Sequence, residues 1–484
     1  MGVKKNIFYT SILTTSNYIF PLIVYPYVSR VLGVTNIGLC NFIDNIINYF
    51  ILFSMMGITI MGNRQIASER AKGHQINASF SSLFFINGLT TLLAILVLIL
   101  LTVYNPILNE NKEMMAYGAL KVISNFFLIE WFYKGLEDFK FITIRTIIVK
   151  CLFIISVFIF VKNTNDYKIY YLLSVLMITG NSIINMIYSR HFARFNIRLI
   201  KLRNIIKPYF MLGVYMLLTS LCTTFNVVYL GFVTNDTQVG YYTTAIKLYS
   251  ILLAFFTGVS SVLLPRMSNL IAQNLINEFK QMISKASSLL FAFSMPVIII
   301  SVIFAPQIIF LISGPGYEGA IIPMRIVMPL MLIIGYEQIA VIQCLMPLHK
   351  DKTIMLNSSA GAIMSILLNL ILVHSLASIG SSIAWAVSET VILILSLIAL
   401  RRLIKLRFPI ADFIKSVVSY LPLIGILLIV YIYSNDSLYW LFLGIAGIIT
   451  GIYTLIIQIY VLHNQELISL TTKLFKKNQM KPID

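Results

Sequence analysis

Charged residues are scarce in this chain. They make up 11% of its 484 residues, whereas hydrophobic residues make up 58%, and soluble domains carry about 25% charged residues. So much apolar surface cannot be hidden inside a soluble fold, so the composition predicts a protein embedded in a lipid bilayer. Acidic residues are the scarcer class, with 18 Asp and Glu against 36 Lys and Arg.

Residues and motifs for metal or nucleotide chemistry are also lacking. The cysteines lie far apart inside apolar stretches without metal-ligand spacing, which is typical of small packing residues; they are Cys40, Cys151, Cys222 and Cys344. The five histidines form no ligand cluster in the sequence. Neither a Walker A motif nor an Asp-x-Asp motif occurs, so we expect no cofactor, no metal, no ATP hydrolysis and no glycosyl transfer.

Long apolar runs recur along the whole chain. A membrane-spanning helix needs about 20 predominantly apolar residues, and this rule predicts an all-α polytopic membrane protein with about 14 spans. The predicted spans are 7–32, 37–62, 79–104, 114–133, 142–161, 169–189, 209–233, 241–264, 287–312, 321–347, 355–375, 380–400, 414–434 and 438–462.

Basic residues fall almost wholly in the loops on one side of these spans. The opposite loops are short and hold only Lys112, Lys162 and Lys168. The positive-inside rule therefore predicts that both termini are cytoplasmic. The net charge of +18 then reflects topology and attraction to anionic lipid, and nucleic-acid binding is not needed to explain it.

The two halves of the chain repeat each other at a constant offset. Gly38 and Arg64 bound one apolar run, and Gly240 and Arg266, each 202 residues further on, bound another. Related multi-helix halves are typical of transporters that rock one half against the other around a central site. The predicted domains are an N-terminal six-helix lobe at 1–190, a cytoplasmic basic linker at 191–208, a second six-helix lobe at 209–400, an additional helix pair at 401–462 and a basic cytoplasmic tail at 463–484.

Short motifs in register make the resemblance to one family specific. They are spread across about four-fifths of the chain, at residues 25–33 with Gly38, 61–67, 130–137, 240–247 with Pro265 and Arg266, 314–317, and 384–389. This pattern resembles the Wzx-type polysaccharide repeat-unit flippases of the multidrug/oligosaccharidyl-lipid/polysaccharide exporter superfamily. The segment at 130–137 begins with Glu130 where that family usually has Asp, so the carboxylate is kept.

The resemblance implies a flippase for undecaprenyl-diphosphate-linked oligosaccharides. Such a protein moves repeat units from the inner to the outer leaflet of the bacterial cytoplasmic membrane, by alternating access, for lipopolysaccharide or capsule biosynthesis. Its partners would be the lipid-linked oligosaccharide, membrane lipids, and the polysaccharide polymerase and chain-length machinery.

Charges inside the predicted spans are candidates for contact with this cargo, because such charges seldom face lipid. Arg30, Lys121, Lys247 and Arg325 lie in the outer halves of their spans, and we expect them to bind the diphosphate. Arginine does so through bidentate hydrogen bonds and lysine as a mobile point charge. Snorkelling to lipid phosphates is the alternative for these residues, above all for Arg30 and Arg325, which lie near helix ends.

Two acidic residues are candidates for a gate or for ion coupling. Asp44, shifted by the repeat offset, falls one residue from Lys247, so the two opposite charges occupy nearly equivalent depths. They could approach and hold the outer side shut; pairing of each residue within its own lobe is the alternative. Glu389 lies near the middle of its span and is the second candidate.

Two other classes of protein compete with the flippase. An ion-coupled multidrug-type exporter of the same superfamily shares the architecture, but a cationic cargo favours acidic cavities. A membrane-embedded polysaccharide polymerase needs sizeable outward loops, whereas the predicted outward loops are about ten residues or fewer, a common connection length. The sequence therefore favours a transporter over an enzyme and predicts no catalytic residues.

Overall fold

A computed structural model of the protein describes residues 3–72, 76–203, 205–220, 224–273, 275–434 and 438–462. This part of the chain is predominantly helical, and no strand occurs within it. The predicted basic tail at 463–484 and Cys222 lie outside the described residues.

The α-helices follow one another with short connections. They are α1 (Val3–Met55), α2 (Ile58–Ala71), α3 (Asn77–Tyr104), α4 (Pro106–Glu110), α5 (Lys112–Leu128), α6 (Glu130–Gly135), α7 (Phe139–Phe160), α8 (Tyr167–Ser189), α9 (Ile206–Ser220), α10 (Thr224–Val233), α11 (Asp236–Ala272), α12 (Ile276–Ile303), α13 (Ala305–Ser313), α14 (Ile321–Val327), α15 (Leu330–Gln338), α16 (Asp351–Ile404), α17 (Ile410–Ile432) and α18 (Tyr439–Ile456). Short 3₁₀ segments lie at Thr164–Asp166, Ile197–Leu199 and Glu318–Ala320, and π-helical segments at Ile339–Leu345 and Ile457–Val461.

The prediction of an all-α polytopic membrane protein is confirmed. In the described part of the chain, nine helical segments are long and apolar enough to cross a membrane. Two of them each cover two predicted spans: the segment 8–71, which contains most of α1 and all of α2, and the segment 351–404, which is α16. Other predicted spans are divided into shorter helices, so the predicted count of about 14 is not confirmed.

The two longest helices are each interrupted between predicted spans. Gly33 has φ 76° and ψ 168° inside α1, and Ala377 has φ 46° and ψ −122° inside α16. Glycine adopts positive φ readily, whereas alanine there is strained. Each interruption therefore separates two membrane-length segments of one nearly continuous helix.

The chain forms two compact units. The first unit contains residues 1–243 and 365–381, and the second contains 244–364 and 382–484. Helices α11 and α16 therefore contribute to both units.

Aromatic residues fill one end of the first unit. Trp131, Phe132 and Tyr133 on α6 are at most 1% exposed and pack with Phe80 and Ile66. Burying such rings is worth several kcal/mol in total, at about 25 cal/mol per Å² of apolar surface. This cluster fixes α2 and α3 against α6.

A second aromatic core lies inside the second unit. The ring of Phe291 on α12 stacks with that of Tyr336, and both rings contact Phe408. Elsewhere along α12, the helix pair α17 and α18 packs against it through Tyr420 and Leu427. The additional helix pair is thus anchored by buried side chains within this unit.

Large apolar side chains also cover the outside of the helices. On α3, for example, Leu92, Leu96 and Leu100 are 51–57% exposed. Their spacing of four residues places them on one helix face. In water such a continuous apolar face would be a liability, so it is the expected lipid-facing surface of a spanning helix.

Candidate functional site

Lys121 and Asp44, two of the predicted site residues, form an ion pair. The Nζ atom of Lys121 on α5 lies 2.5 Å from Oδ1 of Asp44 on α1. Asn48, one turn further along α1, accepts a hydrogen bond from Lys121 at 3.4 Å and donates one to Asp44 at 3.4 Å. Lys121 is only 8% exposed, so a buried cation is balanced by a carboxylate and an amide.

The other three predicted cations differ in their exposure. Arg30 on α1 and Arg325 on α14 are exposed, and Lys247 on α11 is partly buried. The Nε atom of Arg325 donates to the carbonyl oxygen of Val302 at 3.1 Å. Exposure of the two arginines is compatible both with binding of an anionic cargo and with snorkelling to lipid phosphates.

Glu389 lies beside a second acidic residue in the second unit. It is 7% exposed and accepts a hydrogen bond from Nε1 of Trp385 at 2.9 Å. The carboxyl group of Glu337 on α15, which is partly buried, is close enough to interact with it electrostatically. The ring of Tyr249, which is 2% exposed, packs edge-on against Trp385 at 5.3 Å.

The repeat found in the sequence reappears as a contact in the first unit. The hydroxyl oxygens of Thr35 and Thr237 lie 2.9 Å apart, and Nδ2 of Asn41 donates to Oγ1 of Thr243 at 3.1 Å. In both pairs the residues are separated by 202 positions, the offset of the sequence repeat. Equivalent residues therefore touch each other, as residues do on a two-fold axis.

Glycines allow the backbones to approach at this contact. A Cβ atom on Gly38 would collide with the carbonyl oxygen of Asp236 and lie 2.8 Å from the nitrogen of Gly240. A Cβ atom on Gly240 would collide with the carbonyl oxygen of Val34. The two collisions are reciprocal under the 202-residue offset. We call residues 34–41 and 236–243 together the repeat crossing.

A buried amide and hydroxyl network lies in the same unit. Asn226 on α10 donates to Tyr242 at 3.1 Å and accepts hydrogen bonds from Ser365 at 3.0 Å and Asn369 at 2.7 Å. All four residues are fully buried. Because buried polar groups are costly unless paired, this network ties α10 and α11 to α16.

Comparison with known proteins agrees with these features. The sequence profile of a family described as "Polysaccharide biosynthesis protein" matches residues 3–271. The chain belongs to this family. The match runs from the start of α1 to the last residues of α11, and so includes both parts of the repeat crossing.

Two proteins with similar sequences are named as transporters. The chain is 23% identical over 407 residues to a "Putative O-antigen transporter" of Escherichia coli (strain K12), covering 83% of this chain and 97% of that protein. A protein of the same name from Shigella dysenteriae is 26% identical over 276 residues, covering 55% of this chain and 68% of that protein. These relatives confirm the prediction of a membrane transporter and not an enzyme.

A similar fold occurs in a solved lipid flippase. "Lipid II flippase MurJ, inward closed conformation" matches with a TM-score of 0.74 at 19% identity, covering 93% of this chain and 98% of that one. The family and the O-antigen transporter relatives confirm the predicted resemblance to polysaccharide flippases. The similarity to this solved structure concerns the fold.

Several interaction partners of the site residues could not be predicted from the sequence. Glu337 was visible as a charge inside a span, but its contact with Glu389, 52 positions away, was not. Arg145 lies near the inner end of a predicted span, and the sequence did not show that it is only 4% exposed or that its Nη2 atom lies 3.4 Å from Oε1 of Glu130. The asparagines of the buried network could have been found as the polar residues inside apolar runs. The sequence predicts no metal site. In the described part of the chain, no group of three or more His, Cys, Asp or Glu residues is placed so that it could hold a metal ion.

Proposed function

We propose that this protein is a flippase for lipid-linked oligosaccharides. It would move undecaprenyl-diphosphate-linked repeat units from the inner to the outer leaflet of a bacterial cytoplasmic membrane, for surface polysaccharide biosynthesis. Membership of the polysaccharide biosynthesis protein family and similarity to O-antigen transporters support this cargo. A headgroup with a diphosphate and sugars needs a protein path, because its charges and hydroxyl groups cannot enter hydrocarbon unpaired.

The observation that carries the mechanism is the repeat crossing. By the predicted topology it lies at the outer ends of the spans, where Thr35 and Thr237 meet. In alternating access, a contact at that level closes the path to the outside and separates when cargo is released. A contact made of small residues, with few hydrogen bonds, separates at low cost.

In our proposal the predicted cations bind the diphosphate. Lys121 is held by Asp44 in the present conformation, so an arriving diphosphate would compete with that carboxylate for the ammonium group. Arg30, Lys247 and Arg325 would supply further charge and bidentate hydrogen bonds. The predicted gate between Asp44 and Lys247 stays a prediction. In the present conformation Asp44 is paired with Lys121 on α5.

Glu389 is proposed as the site of ion coupling, together with Glu337. In this proposal their neighbouring carboxyl groups would bind a proton and release it as the surroundings change. We also propose that both termini are cytoplasmic, and that the polymerase and chain-length machinery receive the cargo on the outer side.

Deletion of the gene tests the proposed function. We expect lipid-linked repeat units to accumulate on the inner leaflet and surface polysaccharide to disappear, as measured by lipid extraction and analysis of the trapped sugar. Normal surface polysaccharide in the deletion strain would contradict the proposal. Transport of a cationic dye by the purified protein in liposomes, without movement of a lipid-linked oligosaccharide, would instead favour the multidrug-type exporter.

A further inference from the structure

A cavity of about 390 Å³ lies between α7 and α8 in the first unit. Arg145, Lys140 and Tyr188 contribute polar groups to its lining, and Ile144, Ile148 and Ile184 contribute apolar ones. This cavity belongs to neither the repeat crossing nor the pairs formed by the predicted site residues.

Arg145 is the unusual member of this lining. It is 4% exposed, and its Nη2 atom lies 3.4 Å from Oε1 of Glu130. Its Nε and Nη1 atoms are buried without a hydrogen-bond partner among the described residues. A guanidinium group carries five N–H donors in a planar fork, and leaving charged donors unpaired is costly. The site is therefore deficient in acceptors.

The apolar residues of the cavity continue onto the outer surface of the helices. Ile144 and Ile148 are 44% and 54% exposed, and Ile184 is 38% exposed. Residues 144 and 148 are one turn apart and share a helix face. The cavity thus opens beside a strip suited to an acyl chain, while the exposed Lys140 lies at the headgroup end.

Charges around the cavity favour an anion by a small margin. Lys134, Lys140 and Arg145 are opposed by Glu130 and Asp138. The Glu130 carboxylate is shared, since it lies 3.3 Å from Lys134 as well as near Arg145. Asp138 is already occupied, because it accepts hydrogen bonds from the backbone of Phe141 at 3.3 Å and from Tyr188 at 3.2 Å.

We propose that this cavity binds the phosphate group of an anionic phospholipid from the surrounding leaflet, with an acyl chain along Ile144, Ile148 and Ile184. The positive-inside rule assigns this end of α7 and α8 to the cytoplasmic leaflet, where anionic lipids and basic pockets between helices meet. The phosphate group would lie beside the guanidinium group of Arg145, which lines the cavity. This site is separate from the path of the cargo.

Native mass spectrometry of the full-length protein in detergent, with added phosphatidylglycerol or phosphatidylcholine, tests the site. We expect phosphatidylglycerol to be retained preferentially, and Arg145→Gln to weaken its binding about tenfold, as for the loss of one charge-assisted hydrogen bond. Arg145→Lys keeps the charge and should retain part of the affinity. The matched control is Lys112→Gln, an exposed lysine on α5, which should bind like the wild type.

Glu130→Gln distinguishes lipid binding from a purely structural role of Arg145. If Arg145 binds phosphate, removal of the competing carboxylate should tighten phosphatidylglycerol binding. Unchanged or weaker binding in Glu130→Gln, or wild-type binding in a folded Arg145→Gln protein, would overturn the proposal. Preferential retention of undecaprenyl diphosphate over phosphatidylglycerol, lost in Arg145→Gln, would also overturn it, since the cavity would then receive the cargo. All of these experiments measure lipid binding and none measures flipping, so they test this site separately from the proposed function.

Discussion

Lys121 illustrates how one residue can serve both stability and transport. Removing one member of a fully buried ion pair costs about 3 to 5 kcal/mol, because the survivor stays charged without a partner. The cost here is smaller, since the Asp44 side chain is 33% exposed. A loss of transport on mutation of Lys121 therefore needs to be separated from a loss of stability.

The first prediction makes this separation with a double substitution. Lys121→Ala should lower the thermal stability and the flipping rate, whereas Lys121→Arg should lower both less. Adding Asp44→Asn to Lys121→Ala removes the unpaired charge and should restore part of the stability. If Lys121 binds the diphosphate, flipping should stay low in the double variant. Recovery of flipping together with stability would leave Lys121 a purely structural role.

The second prediction concerns the proposed proton exchange at Glu389 and Glu337. Glutamine at either position keeps the shape but removes a group that can exchange a proton. In liposomes, the flipping rate of the wild type should respond to an imposed pH gradient, and Glu389→Gln should abolish that response. Glu110→Gln, at an exposed position in α4, is the matched control. A response retained by Glu389→Gln would exclude coupling through this pair.

At the residue level, the sequence supplied the charges but not their partners. Each of Lys121, Asp44 and Glu389 stands out because a charge inside an apolar run is costly. Depth along a span can be read by counting residues, but the direction in which a side chain points depends on how helices are rotated and packed. The partner of Asp44 therefore lay beyond sequence reasoning, 77 positions away.

At the level of elements, the repeat crossing depends on two glycines, Gly38 and Gly240, which have no Cβ atom. The atoms that a Cβ on Gly38 would meet belong to the backbone of α11, and backbone cannot turn aside as a flexible side chain can. Even an alanine at this position should therefore force the two segments apart.

The third prediction follows from this steric argument. In a background without native cysteines, Thr35→Cys with Thr237→Cys should form a disulfide readily, because the wild-type hydroxyl oxygens are 2.9 Å apart. Adding Gly38→Ala should slow cross-linking several-fold. Gly447→Ala is the control, since nothing lies within 4 Å of a Cβ added there. Equal cross-linking rates in all three proteins would show that the crossing tolerates the methyl group.

Some helix breaks lie inside predicted spans and could not be predicted from the sequence. The interruptions at Gly33 and Ala377 fall between predicted spans, but Met56 and Ile129, with φ of 39° and 36°, interrupt spans predicted as continuous. A β-branched residue rarely adopts positive φ, so local preference gives no warning at Ile129. Both residues are buried in the same aromatic-rich cluster, and tertiary packing there compensates the strain.

For the whole molecule, topology is the property that the sequence predicts most directly, and it can be measured. The fourth prediction is that cysteine labelling from outside reaches residues 234–240 and 313–320, whereas residues 191–207, 401–407 and 463–484 are labelled only after permeabilisation. The basis is the distribution of Lys and Arg among the loops. External labelling of residues 401–407 would place this segment outside the cell. That result would contradict the predicted topology and change the predicted number of spans by one.

Contact between equivalent positions of the two repeats has a consequence for the history of the chain. A patch that meets its own copy around a two-fold axis is how identical subunits pair, so the crossing fits an ancestor of half this length that worked as a dimer. In such a dimer one glycine in each subunit would meet the steric demand that Gly38 and Gly240 meet here. Because both glycines lie at the same contact, a side chain on either one would disturb it.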